Sequence, residues 1–488
     1  METVVRDARQ DLFFESVTSP SLDARTPPAP VAAAFPGCRP QEAKVNKPLS
    51  SLQFPAIVDP FGRVDALRVA RCIGFIATVL ILWVSLRPFP DLGDPTIGDG
   101  EKGKLATTYI TLGILSVAVL MLTAFRHAQA FRSLLTPMCL LLCCWMCINT
   151  VFSHDFEISS QRLILTASAI ALAASLLLLP DSQTELDLWL SAAVLIFLAV
   201  CYLGVILAPS LSIHLASDTS ESQLAGDWRG PYGHKNVAAS IMAMLVFVGL
   251  YLASRRAIIS GVLIASLAAF FLISTGGKSA MAVCVGALVL SAMVAAIKNI
   301  LVRACLCFLP LLCLNLLTVG SVFSERFAAV AKLLPFDATF TGRTDIWAFA
   351  ISSLALHPLL GYGFAAFWGT DAIESLVQND QIEWTAFASH SHNGYLDSAL
   401  TMGYPGLALI VIIFVVAPLR NFSAAMRFGN DEPLAKLFLR IWLFGIYLSS
   451  MESFLLDRAD PIWFTFLIGV FGLHYLARFR LTREPKAA

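Results

Sequence analysis

Charged residues are scarce in this chain, at 14% of its 488 positions, against roughly 25% in soluble globular domains. A surface so poor in ionised groups excludes a water-soluble globular enzyme. The 34 basic and 34 acidic residues cancel, so no net field exists to draw a nucleic-acid partner. Paired cysteines in loops are missing too. Ten of the 11 cysteines lie inside apolar runs and only Cys38 sits in polar sequence, which excludes a disulfide framework. Cys139, Cys143 and Cys147 follow i, i+4 spacing, but no His, Asp or Glu accompanies them, and they read as packing residues of a helix rather than metal ligands.

Apolar sequence is what the chain has in abundance, at 57% hydrophobic residues and a mean hydropathy of +0.73. A helix needs about 20 apolar residues to cross a hydrocarbon core of about 30 Å. About twelve such runs are present, near 69–86, 106–125, 133–152, 163–179, 188–208, 236–253, 257–273, 280–297, 301–320, 396–418, 436–452 and 461–477. Their unbroken length favours helices over barrel strands. The fold expected is all-α, a polytopic membrane protein with about twelve transmembrane helices.

Lys and Arg set the expected orientation. Arg126 and Arg132, Arg255 and Arg256, Lys298 and Arg303, and Arg420 and Arg427 fall in alternate turns, and the C-terminal tail adds Arg478, Arg480, Arg483 and Lys486. These turns and both termini are expected in the cytoplasm. Residues 1–68 read as a disordered cytoplasmic tail, with nine prolines before residue 65 and no signal-peptide apolar core. Spans one to nine occupy 69–320, an outer loop 321–395, spans ten to twelve 396–477, and a cytoplasmic tail 478–488. Outer loops of that length are uncommon unless functional.

Polar residues collect at the outer ends of the spans, where function is best sought. Midspan charges, which a transporter would show, are nearly absent. Arg440 and Glu452 are charges within the later spans, both near an end. Four outer clusters stand out. In Arg229-Gly-Pro-Tyr-Gly-His-Lys-Asn236, Gly and Pro force a turn and Asn236 is placed to cap the helix that follows. Ser274-Thr-Gly-Gly-Lys-Ser279 lacks phosphate-loop spacing, yet its glycines leave backbone N–H groups beside Lys278. In Thr341-Gly-Arg-Thr-Asp-Ile-Trp347, Thr344 is placed to cap a short helix ended by Pro358, with Arg343 just ahead of it. The fourth, His390-Ser-His-Asn-Gly-Tyr-Leu-Asp397, pairs two histidines beside Asn393 and Asp397.

These clusters resemble the O-antigen ligase and Wzy-type polysaccharide polymerase superfamily. His392-Asn393 followed by Gly403 and Gly406 matches a His-Asn…Gly-x-x-Gly motif. Gly342-Arg343, Trp347 and His357-Pro-Leu-Leu-Gly361-Tyr-Gly363 resemble a second family stretch. Gly230, Gly233, His234 and Asn236 resemble a third. Within the superfamily, Ser85 to Leu92 and the Gly-Gly-Lys of the second cluster look like rhizobial exopolysaccharide polymerases of the ExoQ kind. Lys278 stands where many ligases carry arginine.

The resemblance implies a GT-C-like fold and a glycosyltransferase of the bacterial inner membrane, independent of metal and of any cofactor. Its donor would be an undecaprenyl-pyrophosphate-linked oligosaccharide at the periplasmic face. Membrane lipids, flippase proteins and chain-length regulators are the other expected partners. Arg229, Lys278 and Arg343 are the expected pyrophosphate-binding cations. His392 is the expected catalytic residue, supported by His234, Asn236, Asn393 and Glu452. The alternatives are a ligase that transfers glycan to lipid A-core, a lipid-linked sugar transporter, and an outer-side scaffold.

Overall fold

The computed structural model describes residues 65–85, 87–93, 101–218, 222–255, 257–332, 343–370, 372–373 and 388–480. The tail expected at 1–68 lies outside the described residues up to position 64, as do Arg256, the 374–387 stretch and everything after Arg480. Among the described residues the structure is helical, apart from one isolated antiparallel bridge between Ile213 and Trp228.

Each apolar run is helical. The first six helices are α1 (Ala66–Val84), α2 (Glu101–Thr123), α3 (Ala128–Leu134), α4 (Pro137–Val151), α5 (Phe156–Leu176) and α6 (Gln183–Leu207). Then come α7 (Lys235–Ala253), α8 (Ile258–Ser274), α9 (Lys278–Ala296) and α10 (Ile300–Leu317). The stretch expected as an outer loop holds α11 (Gly320–Phe323), α12 (Glu325–Lys332) and α13 (Arg343–Leu356). The last set is α14 (Gly394–Ile410), running on through a π turn into α15 (Ala417–Arg427), then α16 (Glu432–Leu448) and α17 (Pro461–Leu476). Polar residues that punctuate the apolar runs cap them: the side chains of Thr136, Asp155, Ser182, Asn299, Asn393, Asp431 and Asp460 accept first-turn N–H groups.

Seven of these helices are long and apolar enough to cross a membrane, or eight if α2 and α3, bent by 117°, count together. The sequence reading of about twelve treats every apolar run alike. The difference is length: α4, α8 and α17 are apolar but have only 15 to 17 residues, about 22–26 Å at 1.5 Å per residue. Lipid-facing character is plain in α2, where Ile110, Ile114, Val117 and Met121 are exposed along one face, and in α4, where Cys143, Cys144 and Cys147 are exposed and free. This is a multi-pass membrane protein.

The centre of the bundle is built from α7, α16 and α17, all of them buried over most of their length. Small residues bring α7 and α8 together: a Cβ on Gly261 would lie 2.2 Å from the Ala253 nitrogen. A smaller apolar core forms beside it, where Trp347, Phe349, Tyr362 and Phe367 pack on Leu396 and Leu400 of α14.

That second core depends on a break in α14. Gly403 has φ 67° and ψ 179°, so the carbonyls ahead of it lose their helical partners. Tyr362 N–H donates to Leu400 O (3.0 Å), Gly363 N–H to Thr401 O (3.1 Å), and the Trp145 indole to Met402 O (2.9 Å). Tyr404 N–H in turn donates to Pro358 O (2.9 Å). Non-helical backbone of this kind is tolerated in a membrane protein where other protein covers it. Gly361, Gly363, Gly403 and Gly406 of the two motifs are therefore packing residues. A Cβ on Gly403 would sit 2.0 Å from Leu359 O, and one on Gly406 2.4 Å from the Met402 Cβ.

Candidate functional site

The four sequence clusters lie at helix ends, and the structure joins three of them on one carboxylate. Glu452 lies in the turn after α16, rather than inside the span as the hydropathy suggests. Its Oε1 accepts from Asn236 Nδ2 at 2.9 Å and from Arg343 Nη2 at 3.2 Å. Its Oε2 faces His392 Nδ1 at 3.4 Å. Burial works against its ionisation, but the hydrogen bond from His392 and the charges of Arg343, His392 and His390 outweigh it and hold the carboxyl down at about 2. Glu452 is thus a buried anion with three partners.

Each partner is fixed from behind. Arg343 opens α13 and places its second amine on Met451 O at 2.6 Å. Asn236 is one residue into α7. The sequence suggested Asn236 as the cap; the helix begins two residues earlier, and His234 is the N-cap instead, its Nδ1 accepting the Asn236 N–H at 3.0 Å. That start leaves the Asn236 amide free to reach across to Glu452. Thr344, expected as a cap, lies inside α13, which ends at Leu356 just ahead of Pro358.

His392 stands in the left-handed region, φ 56°, a strained conformation for a branched-off ring. Its neighbours impose it. Ser391 donates its N–H to Asp397 (3.2 Å) and its Oγ–H to Asn393 O (3.0 Å), and accepts the Trp347 indole on its carbonyl (2.9 Å). Asn393 caps α14 through Oδ1 and donates its amide to Asn315 Oδ1 and Ser450 O, both at 3.2 Å. Asp397 also accepts the Trp368 indole at 2.7 Å. The imidazole is left with its Nε2 unpartnered among the described residues and 28% of its side chain exposed, which suits a group that must meet a substrate. His390 packs edge-on against it, ring centroids 4.1 Å apart, and burial followed by the His392 charge pushes its pKa down.

Arg229 and Lys278 have no contact with this carboxylate. Arg229 is fully buried, and its amines donate to Tyr232 O and Pro90 O at 2.9 Å and to Ser210 O at 3.4 Å. It ties the Ser85–Leu92 segment to the turn before α7. Burial pushes its pKa down, and its Nε is buried without a hydrogen-bond partner among the described residues. Lys278 is exposed in the first turn of α9. The turn ahead of it, with Gly276 at φ 60°, packs against Asp227, which pairs with Lys235 at 2.5 Å.

Sequence reasoning missed Asn315 and Ser450, which hold the Asn393 amide. The signal for Asn315 was available: a lone amide within an apolar run is costly unless it has a partner.

Residues 263–411 match the family model described as O-antigen ligase. A stretch of 104 residues is 30% identical to the exopolysaccharide production protein ExoQ of Rhizobium meliloti (strain 1021), covering 21% of this chain and 24% of that protein. The family match takes in Lys278, Arg343, His392 and the Gly403–Gly406 pair, whereas Asn236 and Glu452 lie beyond it on either side. Over its matched segments this chain resembles the O-antigen ligase and Wzy-type polymerase superfamily, with an ExoQ-like relationship.

Proposed function

We propose that this protein is an exopolysaccharide polymerase, joining undecaprenyl-pyrophosphate-linked repeat units at the periplasmic face of a bacterial inner membrane. The observation that carries this reading is the pairing of one imidazole and one guanidinium on the buried Glu452 carboxylate, at the end of a membrane bundle. Glu452 accepts the His392 Nδ1–H, so the ring proton stays on Nδ1 and Nε2 keeps a lone pair. Nε2 removes the proton of the acceptor hydroxyl as that oxygen attacks the anomeric carbon of the donor. The bond from that carbon to the pyrophosphate oxygen breaks, and the electron pair leaves with undecaprenyl pyrophosphate, with inversion. Arg343 spends two of its five N–H donors on Met451 and Glu452; those remaining meet the charge that develops on the leaving group. Lys278 is the further cation proposed for the pyrophosphate, whereas Arg229, expected there from the sequence, is buried with its amines on backbone carbonyls and is proposed to hold the turn before α7. The chemistry proposed uses neither metal nor cofactor.

This assignment requires the site end to face the periplasm and both termini the cytoplasm. A reporter fused after Thr370 is expected to be active only in its periplasmic form, and cytoplasmic activity there would overturn the donor. A deletion strain is expected to hold single repeat units on the carrier, with no long polymer and intact lipopolysaccharide. Long polymer stranded on the carrier, with lipopolysaccharide lacking its outer chains, would replace the polymerase by a ligase. Uptake of labelled lipid-linked oligosaccharide into proteoliposomes without chain extension would replace both by a transporter.

A further inference from the structure

A second pair of titratable side chains is buried near the site and has no part in the chemistry above. His214 and Asp218 lie in the segment between α6 and α7, their side chains 0% and 3% exposed. Asp218 Oδ2 accepts the Leu215 N–H at 3.0 Å and faces His214 Nδ1 at 3.2 Å. On the other edge of the ring, His214 Nε2 accepts the Lys235 N–H at 3.3 Å. A backbone amide can only donate, so Nε2 is the acceptor and Nδ1 carries the proton toward Asp218. The carboxylate therefore selects the tautomer that caps the helix.

The first N–H groups of α7 are orphans by geometry, and here two imidazoles satisfy them. His214 takes the Lys235 N–H, and His234 takes the Asn236 N–H. The two rings meet edge to face at 5.8 Å. The residue so held, Asn236, is the one whose amide reaches Glu452 at 2.9 Å. A chain of contacts thus runs from Asp218 through His214 and the first turn of α7 to the Glu452 carboxylate and on to His392.

We propose that the buried Asp218–His214 pair is a positioning device for the transfer site, fixing the first turn of α7 so that Asn236 holds Glu452 in register with His392 and Arg343. The proposal rests on the glycan-transfer reading for its effect on rate, but not for its effect on the helix start. Neither residue touches substrate. A misplacement of about 1 Å at a reacting centre can cost about a hundredfold in rate, which is the scale on which such a device acts.

The test uses the full-length protein in lipid nanodiscs, with lipid-linked oligosaccharide isolated from the deletion strain as substrate. His214→Phe keeps the ring volume and removes both nitrogens; it is expected to lower kcat by about tenfold or more with KM little changed. Asp218→Asn keeps an acceptor oxygen for both of its donors and is expected to recover most of the rate. Because the pair acts through Asn236, His214→Phe is expected to add nothing to the loss caused by Asn236→Ala. Hydrogen exchange at residues 234–238 is expected to speed up in His214→Phe and to stay slow in Asp218→Asn. Should His214→Phe not accumulate as folded protein, Asp218→Leu carries the same expectations. Additive losses in the double variant, or unchanged exchange at the helix start, would overturn the proposal. If the wild-type protein extends no donor, the glycan-transfer reading fails by itself, and the exchange measurement alone decides the positioning.

Discussion

Replacing Glu452 by glutamine changes one atom and little volume, yet the geometry of its three partners makes the consequence large. Asn236 and Arg343 both donate to the same side of the carboxylate, so the glutamine carbonyl oxygen must turn toward them. Its NH2 group then faces His392 Nδ1, where it can only donate. Nδ1 becomes an acceptor, the ring proton moves to Nε2, and the nitrogen that met the acceptor hydroxyl loses its lone pair. A positioned base contributes about 10²–10⁴-fold, and kcat is expected to fall by about that factor in Glu452→Gln. The 3.4 Å contact is long for a hydrogen bond, as catalytic contacts often are before substrate closes them. The charge matters separately. Depression of the carboxyl from an ordinary 4.5 to about 2 is linked to folding stability on the order of 3 kcal/mol at neutral pH. Because the folded-state value is the lower one, this contribution is present in full above pH 4.5 and drains away as pH falls toward about 2. Initial rates of chain extension in nanodiscs, with thermal unfolding followed from neutral pH to pH 3, measure both effects. A Glu452→Gln protein within threefold of wild-type kcat, on the scale where a base is worth about 10²–10⁴, would refute the tautomer reasoning. Unfolding as sensitive to acid as wild type would refute the assignment of the acid limb to Glu452.

Arg343→Ala is expected to abolish polymer formation in cells at normal protein level, and Arg343→Lys to restore only part, since one ammonium cannot serve Met451, Glu452 and a pyrophosphate as a planar fork does; full polymer yield from Arg343→Ala would count against its role. His392→Ala is expected to be inactive in the nanodisc assay and His390→Ala to lose only a few-fold. Equal losses, with sensitivity to chelators, would point to a shared metal instead. Gly403→Ala is expected to prevent accumulation of folded protein, because the position has positive φ and its Cβ would collide with Leu359 O; normal levels on a membrane immunoblot would show that the break in α14 is not required.

The helices were legible because hydropathy is a one-dimensional property, but their starts were less so: Asn236 and Thr344, the caps expected, both lie inside helices. The number that cross a membrane was less so. Hydropathy does not register that α4 stops after 15 residues or that α2 and α3 meet at 117°. Within the site, His392, Arg343 and Asn236 were visible as polar residues that survive at span ends. Glu452 reads only as a supporting residue, not as their common partner. Glu452 looks like one more charge near the end of an apolar run, and only tertiary packing brings Asn236 and Arg343, 216 and 109 positions away, onto its Oε1 and His392 onto its Oε2. His214 and Asp218 were hidden for the same reason, since nothing in their spacing says that the ring caps a helix 21 residues further on.

The break at Gly403 also limits how this protein can be taken apart. Carbonyls of α14 are satisfied by amides of Tyr362 and Gly363, and Pro358 O is satisfied by the amide of Tyr404. The two segments therefore complete each other's hydrogen bonding across about 40 residues of chain, as strands of one sheet do. They are a single unit of inheritance. A chimaera that borrows the 357–373 segment from a relative must borrow the first half of α14 with it, and a crossover point placed between them would put at stake three backbone hydrogen bonds, six backbone groups in all.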